Sequence, residues 1–197
     1  MMKGRETKET ILNAALGFAR LHGLEGLSIG RLAKGVGLSK SGLFAHFNSK
    51  ETLQLNVLQR GVEEFLEAVV RPAIKEPRGE PRLRALLDRW LRWAAGDGSR
   101  GKGGCLFLGA AVELDDQPGA LRDYLVNSQR QWISTLARAV TIAQTAGDIS
   151  PDVDTEQMAF EIYSIMMAFH LYHRLLRDPD ASMRARKAFD KLLAASR

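Results

Sequence analysis

Cysteine is almost missing from this chain. One residue, Cys105, stands among 197. That excludes an internal disulfide framework and fits a reducing compartment. Aromatic residues make up only 7% and runs of β-branched residues are few, so a core built on sheets is disfavoured. No apolar run reaches the roughly 18 residues that a spanning helix needs, and no signal-peptide pattern opens the sequence. No membrane partner and a cytoplasmic location are therefore expected. Proline occurs six times, at Pro72, Pro77, Pro81, Pro118, Pro151 and Pro179. Each falls at the edge of a stretch with helical periodicity, where a residue without an N–H does least harm.

Hydrophobic residues, by contrast, make up 45% of the chain, enough to bury a substantial core. The net charge of +5 becomes informative once it is divided. Residues 1–50 hold eight Lys/Arg against three Asp/Glu, whereas residues 51–197 hold twenty of each. All of the excess positive charge lies at the N-terminal end, the footprint of a protein that meets phosphates through that end.

Within that basic stretch, Ser28 to Lys50 reads SIGRLAKGVGLSKSGLFAHFNSK. Ser28 is a natural N-cap. Ile29, Leu32, Ala33 and Val36 then recur at helical spacing. Gly37 stands where the chain needs a left-handed residue, and Ser39 caps a second short helix, Lys40 to His46, with Leu43 and Phe47 inward. Asn48 and Glu51 have the spacing of a capping box for the next helix. Two short helices joined by a tight glycine turn make a helix-turn-helix, whose second helix enters the major groove. Outside the inward pair, Ser39, Lys40, Ser41, Phe44, Ala45 and His46 are candidates for base or phosphate contact. Lys50, at the start of the following helix, is a candidate for phosphate. The polar arm Met1 to Glu6 carries Lys3 and Arg5, which can reach DNA as well.

This order of residues resembles the N-terminal domain of TetR/AcrR-type bacterial transcriptional regulators. Leu32, Ala33, Gly37, Ser39, Lys40, Leu43, Phe47, Ser49, Lys50, Glu51 and Leu53 carry the resemblance, and Ile11 to Gly26 matches the family's first helix. The match covers about the first quarter of the chain. It implies DNA binding through Ser28, Ser39, Lys40, Ser41, Phe44, His46 and Lys50. This chain has Phe44 where the family usually carries Tyr, so a hydroxyl that commonly meets phosphate is missing. Gly42 likewise replaces a residue that is often Thr.

The remainder reads as helices. Thr7–His22 is amphipathic through Ile11, Leu12, Ala15, Phe18 and Ala19. Glu51 to about Lys75 carries Leu53, Val57, Leu58, Val62, Phe65, Leu66 and Val69 on one side. Leu83–Ala95, Cys105–Leu114, Pro118–Ala146, Asp154–Leu176 and Met183–Ala195 follow. The expected class is all-α: a three-helix helix-turn-helix domain over 1–50 joined to a helical-bundle regulatory domain over 51–197. Asp154–Leu176 is apolar over most of its circumference, which points to burial on two sides. With Pro118–Ala146 it is the expected homodimer contact. Trp90, Trp93, Phe107, Trp132, Tyr163, Met166, Phe169 and His170 are large residues on converging helices, and the family resemblance implies an effector site there.

Enzyme chemistry finds no footing. No Ser/His/Asp or Cys/His set stands in a recognisable context, so no catalytic residues, cofactor or metal are expected. Gly96–Gly104 contains the letters of two phosphate-loop motifs, but a helix precedes it and Gly103 stands where the loop needs Ser or Thr. His170 and His173 lack an evident third ligand. Glu113, Asp115 and Asp116 read as a solvated helix end. Cys105 admits two readings, a buried small hydrophobe or a thiol that senses oxidants and electrophiles, its pKa lowered by Lys102 and a helix N-terminus. The expected function is a ligand-responsive repressor that binds a pseudo-palindromic operator in double-stranded DNA and is released by a small molecule. A regulator sensing through Cys105 is the alternative.

Overall fold

Helix starts and stops follow local chemistry in the computed structural model, which describes residues 2–96 and 103–197, with side chains from residue 6 onward. Helix α1 spans Met2–His22, extending back through the segment expected to be an arm. Met, Lys, Arg and Glu are strong helix formers, and Thr10 Oγ1 donates to the Glu6 carbonyl at 3.0 Å. The side chains of Lys3 and Arg5 lie outside the described residues. Gly23 ends α1 with φ +79°, and its N–H donates to Ala19 O at 2.9 Å.

Helices α2 (Ile29–Gly35) and α3 (Lys40–Phe47) form the helix-turn-helix. Helix α4 runs Lys50–Phe65, passes into a π-helical turn at Leu66–Val70, and continues as α5 over Arg71–Ile74. Pro72 explains the break in pattern. It has no N–H for the Ala68 carbonyl, its ring crowds that carbonyl, and the ladder widens so that Arg71 N–H donates to Leu66 O. Helices α6 (Glu80–Ala95), α7 (Leu106–Leu114), α8 (Ala120–Thr145), α9 (Thr155–Arg174) and α10 (Ala181–Ala195) complete the chain. No strand occurs among the described residues, so the all-α expectation holds. Asp154 caps α9 by accepting from Glu156 N at 2.9 Å and Gln157 N at 3.1 Å. The cap of α4 differs from expectation. Ser49, not Asn48, accepts from Thr52 N at 3.0 Å, while Asn48 takes a positive φ of 59° to turn the chain.

The chain divides into two compact units, Met1–Glu64 with Gly98–Asn127, and Phe65–Asp97 with Ser128–Arg197. The first holds α1–α3, nearly all of α4, α7 and the start of α8. Ile11, Ala15, Leu16, Leu24, Leu43, Phe47, Leu53 and Leu58 are sealed in its core, each of the larger side chains contributing about 1.5–3 kcal/mol by burial. In the second unit α6 packs on the π turn, α5 and α9, and α9 packs on α10. Its core includes Leu83, Leu86, Leu87, Ile162, Met166, Phe169 and Phe189. Leu66, expected on the apolar stripe, is instead exposed, because the wider π turn rotates it off that face. No helix among the described residues is long and apolar enough to cross a membrane.

Candidate nucleic-acid interface and effector region

The geometry of α2 and α3 is written in hydroxyls and one glycine. Ser28 Oγ accepts from Arg31 N at 3.5 Å and Ser39 Oγ from Gly42 N at 3.0 Å. Gly37, at φ +69°, makes the turn between the helices, and Leu38 N–H closes it onto Ala33 O at 2.9 Å. Leu43 and Phe47 anchor α3 from inside, fully buried. Lys8 Nζ lies 5.5 Å from the centre of the Phe47 ring, which ties α1 to α3.

That anchoring leaves Lys40, Ser41, Phe44 and Ala45 exposed on the outer face of α3. Ser28 and Ser39 are exposed as well, although their oxygens are engaged as caps. Ser41 Oγ pairs with Ser39 Oγ at 3.1 Å. His46 is half-buried, its ring 6.4 Å from that of Phe47. The Lys40 stem crosses α2, its Cε 3.1 Å from where a Cβ on Gly30 would stand. Phe44 presents its ring to solvent.

Lys50 is not free in this structure. Its Nζ donates to Glu25 O at 2.9 Å and to Glu25 Oε2 at 3.4 Å. The neighbouring Gln54, 3% exposed, donates to Leu24 O at 2.9 Å and Glu25 Oε1 at 3.2 Å. A glutamine on the apolar stripe of α4, beside Leu53 and Val57, was the available sequence signal for this contact. The opposite side of the same turn is held by Glu113 of α7, which accepts from Leu24 N at 3.2 Å and Glu25 N at 2.7 Å. The reading of Glu113 as a solvated end carboxylate is therefore corrected. Only Asp115 and Asp116 are exposed, and the carboxylate of Glu113 serves two backbone donors of the turn that follows α1. Arg20 of α1 forms a largely buried ion pair with Glu64 of α4. Partners 44 and 89 positions apart leave no periodic trace in the sequence.

The candidate effector residues fall in two places. Phe107 belongs to the first unit, where it lies against Gly61 of α4. Trp90, Trp93, Trp132, Tyr163, Met166, Phe169 and His170 belong to the second. Trp90 meets Phe169 edge to face at 6.2 Å, and Phe169 stacks on His173 at 5.2 Å. Phe65, which periodicity marked only as core, sits between two tryptophans. It meets Trp93 at 5.1 Å and Trp132 at 4.8 Å, both edge to face. Tyr163 Oη donates to Gln129 Oε1 at 2.7 Å. Burial, with Arg174 and His173 adding to it, lowers the pKa of His170, so its ring is uncharged at neutral pH. The indole Nε1 of Trp132 is buried with no hydrogen-bond partner among the described residues.

Cys105 caps the start of α7 and is buried. Desolvation pushes its thiol up to about 12, against the weaker opposing pull of backbone hydrogen bonds from Leu108 and Phe107 and the charge of Arg20. The expected lowering by a nearby helix N-terminus is thus reversed, because burial outweighs it. Lys102 lies outside the described residues, as do Gly98 and Gly101 of the glycine loop.

Two family profiles match the chain. One is described as bacterial regulatory proteins, tetR family, and covers residues 11–57; the other is the tetracyclin repressor-like C-terminal domain, over residues 79–189. The HTH-type transcriptional regulator TcmR of Streptomyces glaucescens is 30% identical over 154 residues, which are 76% of this chain and 65% of TcmR. The match thus spans slightly less than two thirds of that relative. A TetR transcriptional regulator from Chloroflexus aurantiacus, whose crystal structure is known, is 27% identical, with a TM-score of 0.86 over 98% of this chain and 96% of that one. AibR, solved in complex with isovaleryl coenzyme A and operator DNA, shares the fold at 21% identity, with a TM-score of 0.70 over 96% of this chain and 97% of its own.

Proposed function

The chain belongs to the TetR family of bacterial regulatory proteins, and from that membership we propose that it is a homodimeric transcriptional repressor, released from operator DNA by a small molecule. The outer face of α3 carries this reading. Lys40, Ser41 and Phe44 are exposed on a short helix that Leu43 and Phe47 lock from inside, in the stretch that holds all the excess positive charge. Residues 1–50 are the DNA-contacting part. Lys40 and Lys50 meet phosphates, while Ser41 and His46 reach base edges or backbone. Phe44, without a hydroxyl, offers an apolar ring that suits a thymine methyl or a sugar.

Residues 51–197 dimerise and bind the effector. α9 exposes Phe160, Met167, Leu171 and Tyr172; Leu175 and Leu176 follow it, and α10 adds Met183. A groove of about 290 Å³ runs between these helices, lined by Ile165, Phe169, Tyr172 and Arg184 among others. α8, by contrast, contributes none of the exposed large apolar side chains. The exposed apolar side of α9 supports a second copy seated on the expected pair, Pro118–Ala146 and Asp154–Leu176, with the start of α10 beside it. Two recognition helices then lie roughly 34–36 Å apart, or somewhat more, on a two-fold site. Effector binding favours a spacing that no longer fits the grooves, and by linkage operator DNA weakens effector binding by the same factor. AibR, which shares the fold, was solved in complex with isovaleryl coenzyme A and operator DNA. The buried, strongly protonated thiol of Cys105 speaks against the alternative sensor.

Selection of bound sequences from a random DNA pool, with the mass in solution measured alongside, tests the proposal. A two-fold symmetric site bound by an even number of subunits is the expected result. No enriched sequence at low salt, from refolded protein stripped of small molecules, removes the DNA-binding reading.

A further inference from the structure

We propose that the recognition helix reads thymine by its C5 methyl, through the ring of Phe44 and the methyl group of Ala45. This rests on the reading of α2 and α3 as the DNA interface and names the base that the operator carries under α3.

The inward pair sets the geometry. Leu43 and Phe47, four positions apart, are 0% and 1% exposed and fix which side of α3 is buried. At about 100° per residue, Ala45 stands roughly 200° from each of them and so at the centre of the outward face. Ala45 and its neighbour Phe44 are both exposed. Within Ser28–Phe47, Phe44 is the only large apolar side chain left exposed, at 42%. A single exposed ring on an ordinary surface needs no explanation. This one stands on the helix that enters the groove, in the stretch that holds all of the excess positive charge.

The polar neighbours are directed elsewhere. Ser41 Oγ pairs with Ser39 Oγ at 3.1 Å, back toward the start of α3. Lys40 Cε lies 3.1 Å from where a Cβ on Gly30 would stand, so its stem runs across α2. His46 is half-buried, its ring 6.4 Å from that of Phe47. Ser41 keeps a hydroxyl for a neighbouring base edge and Lys40 an ammonium for phosphate, but the centre of the face offers carbon. Base edges in the major groove present donors, acceptors and one apolar substituent, the C5 methyl of thymine. A ring and a methyl group can neither donate nor accept, so they tell bases apart only by that substituent. Against a donor or acceptor they would bury a polar group without a partner, which costs free energy. Sugars also offer carbon, but every nucleotide carries one and contact there reads no sequence.

The operator obtained by selection supplies the probe. Each thymine of the half-site is replaced in turn by deoxyuridine, which keeps the base pair and lacks only the methyl, and binding of the full chain is followed by fluorescence anisotropy. At the thymine under α3 the change is expected to weaken binding about fourfold for each half-site, the value of one buried methyl group. In Phe44→Ala, where the substituted side chain is exposed and the buried pair is intact, that penalty largely disappears while thymines elsewhere respond as in wild type. 5-Iodouracil at the same position places iodine where the methyl stood. Under ultraviolet light it should crosslink to Phe44 of the wild-type chain, located by mass spectrometry, which decides the matter even if Phe44→Ala binds too weakly to measure. Deoxyuridine without effect at every thymine of an enriched site overturns the inference and leaves DNA binding standing. So does an undiminished uracil penalty in Phe44→Ala, which would put the ring on the sugar–phosphate backbone, or a crosslink on another residue. No enriched site at all removes the DNA-binding reading and this inference with it.

Discussion

Lys50 has two claims on it. In the free protein its ammonium sits on the carbonyl and carboxylate of Glu25, an exposed arrangement worth little. It is also at the first turn of α4, where a phosphate is favoured. A phosphate therefore competes with Glu25 at modest cost. Lys50→Ala is expected to weaken binding to specific and non-specific DNA alike and to reduce the slope of log affinity against log salt by about one. An unchanged slope would leave Lys50 with the structural contact alone. Cys105 makes the opposite case, a residue whose chemistry is suppressed by its place. With the folded thiol at about 12 and an ordinary value of 9.0, the folded chain holds its proton where the unfolded chain has lost it. The unfolded state is thus favoured increasingly as pH rises from about 9 towards 12. Wild type should lose stability over that window more steeply than Cys105→Ala, and iodoacetamide at pH 8 should label the thiol only after unfolding. Rapid labelling of native protein would show the thiol to be accessible.

At the scale of elements, α7 is where sequence pattern misleads most. Its periodicity marks a short buried helix, and Leu106, Phe107, Ala110 and Leu114 are indeed buried. What the pattern does not carry is the use of its C-terminal end. Glu113 holds the Leu24–Glu25 turn that leads into α2, so a helix distant in the chain sets the entry to the helix-turn-helix. Gly23 is required for that approach, since a Cβ there would stand 2.0 Å from Glu113 Oε1 on a backbone at φ +79°. Gly23→Ala should therefore destabilise the protein by about 2–4 kcal/mol, combining backbone strain with loss of the carboxylate's place. Glu113→Ala should cost about 1–2 kcal/mol and speed hydrogen exchange at the amides of Leu24 and Glu25. Urea unfolding gives the first pair of values, and the double variant should be less destabilised than the sum because both changes break one contact.

For the whole molecule the open question is what covers the apolar outer side of α9 and α10. Phe160, Met167, Leu171, Leu175 and Leu176 expose between 48% and 72% of their surface, and large apolar side chains grouped on one stretch of chain mark an interaction surface. The proposed dimer resolves this. Leu171→Glu should leave helix content unchanged while the particle sediments near 21.8 kDa rather than at twice that mass, and operator binding should weaken because one half-site no longer recruits the other. A variant that remains dimeric would move the contact off this face.

The amino-acid order by itself determined the helical class and most helix boundaries. It also determined the helix-turn-helix from Ser28 to Phe47 and the end of the chain that carries excess positive charge. These rest on interactions within a few residues: hydroxyl caps at Ser28, Ser39 and Asp154, a left-handed glycine at Gly37, and apolar spacing that needs no knowledge of the partner surface. Only the tertiary structure decided what depends on distant parts meeting. Glu113 and Gln54 close on one turn from two sides, Phe65 lies between Trp93 and Trp132, and Cys105 is sealed and kept protonated. Where a polar or aromatic side chain ends up, and what its burial does to it, is set by whichever segment packs over it. No local period in the sequence records that encounter.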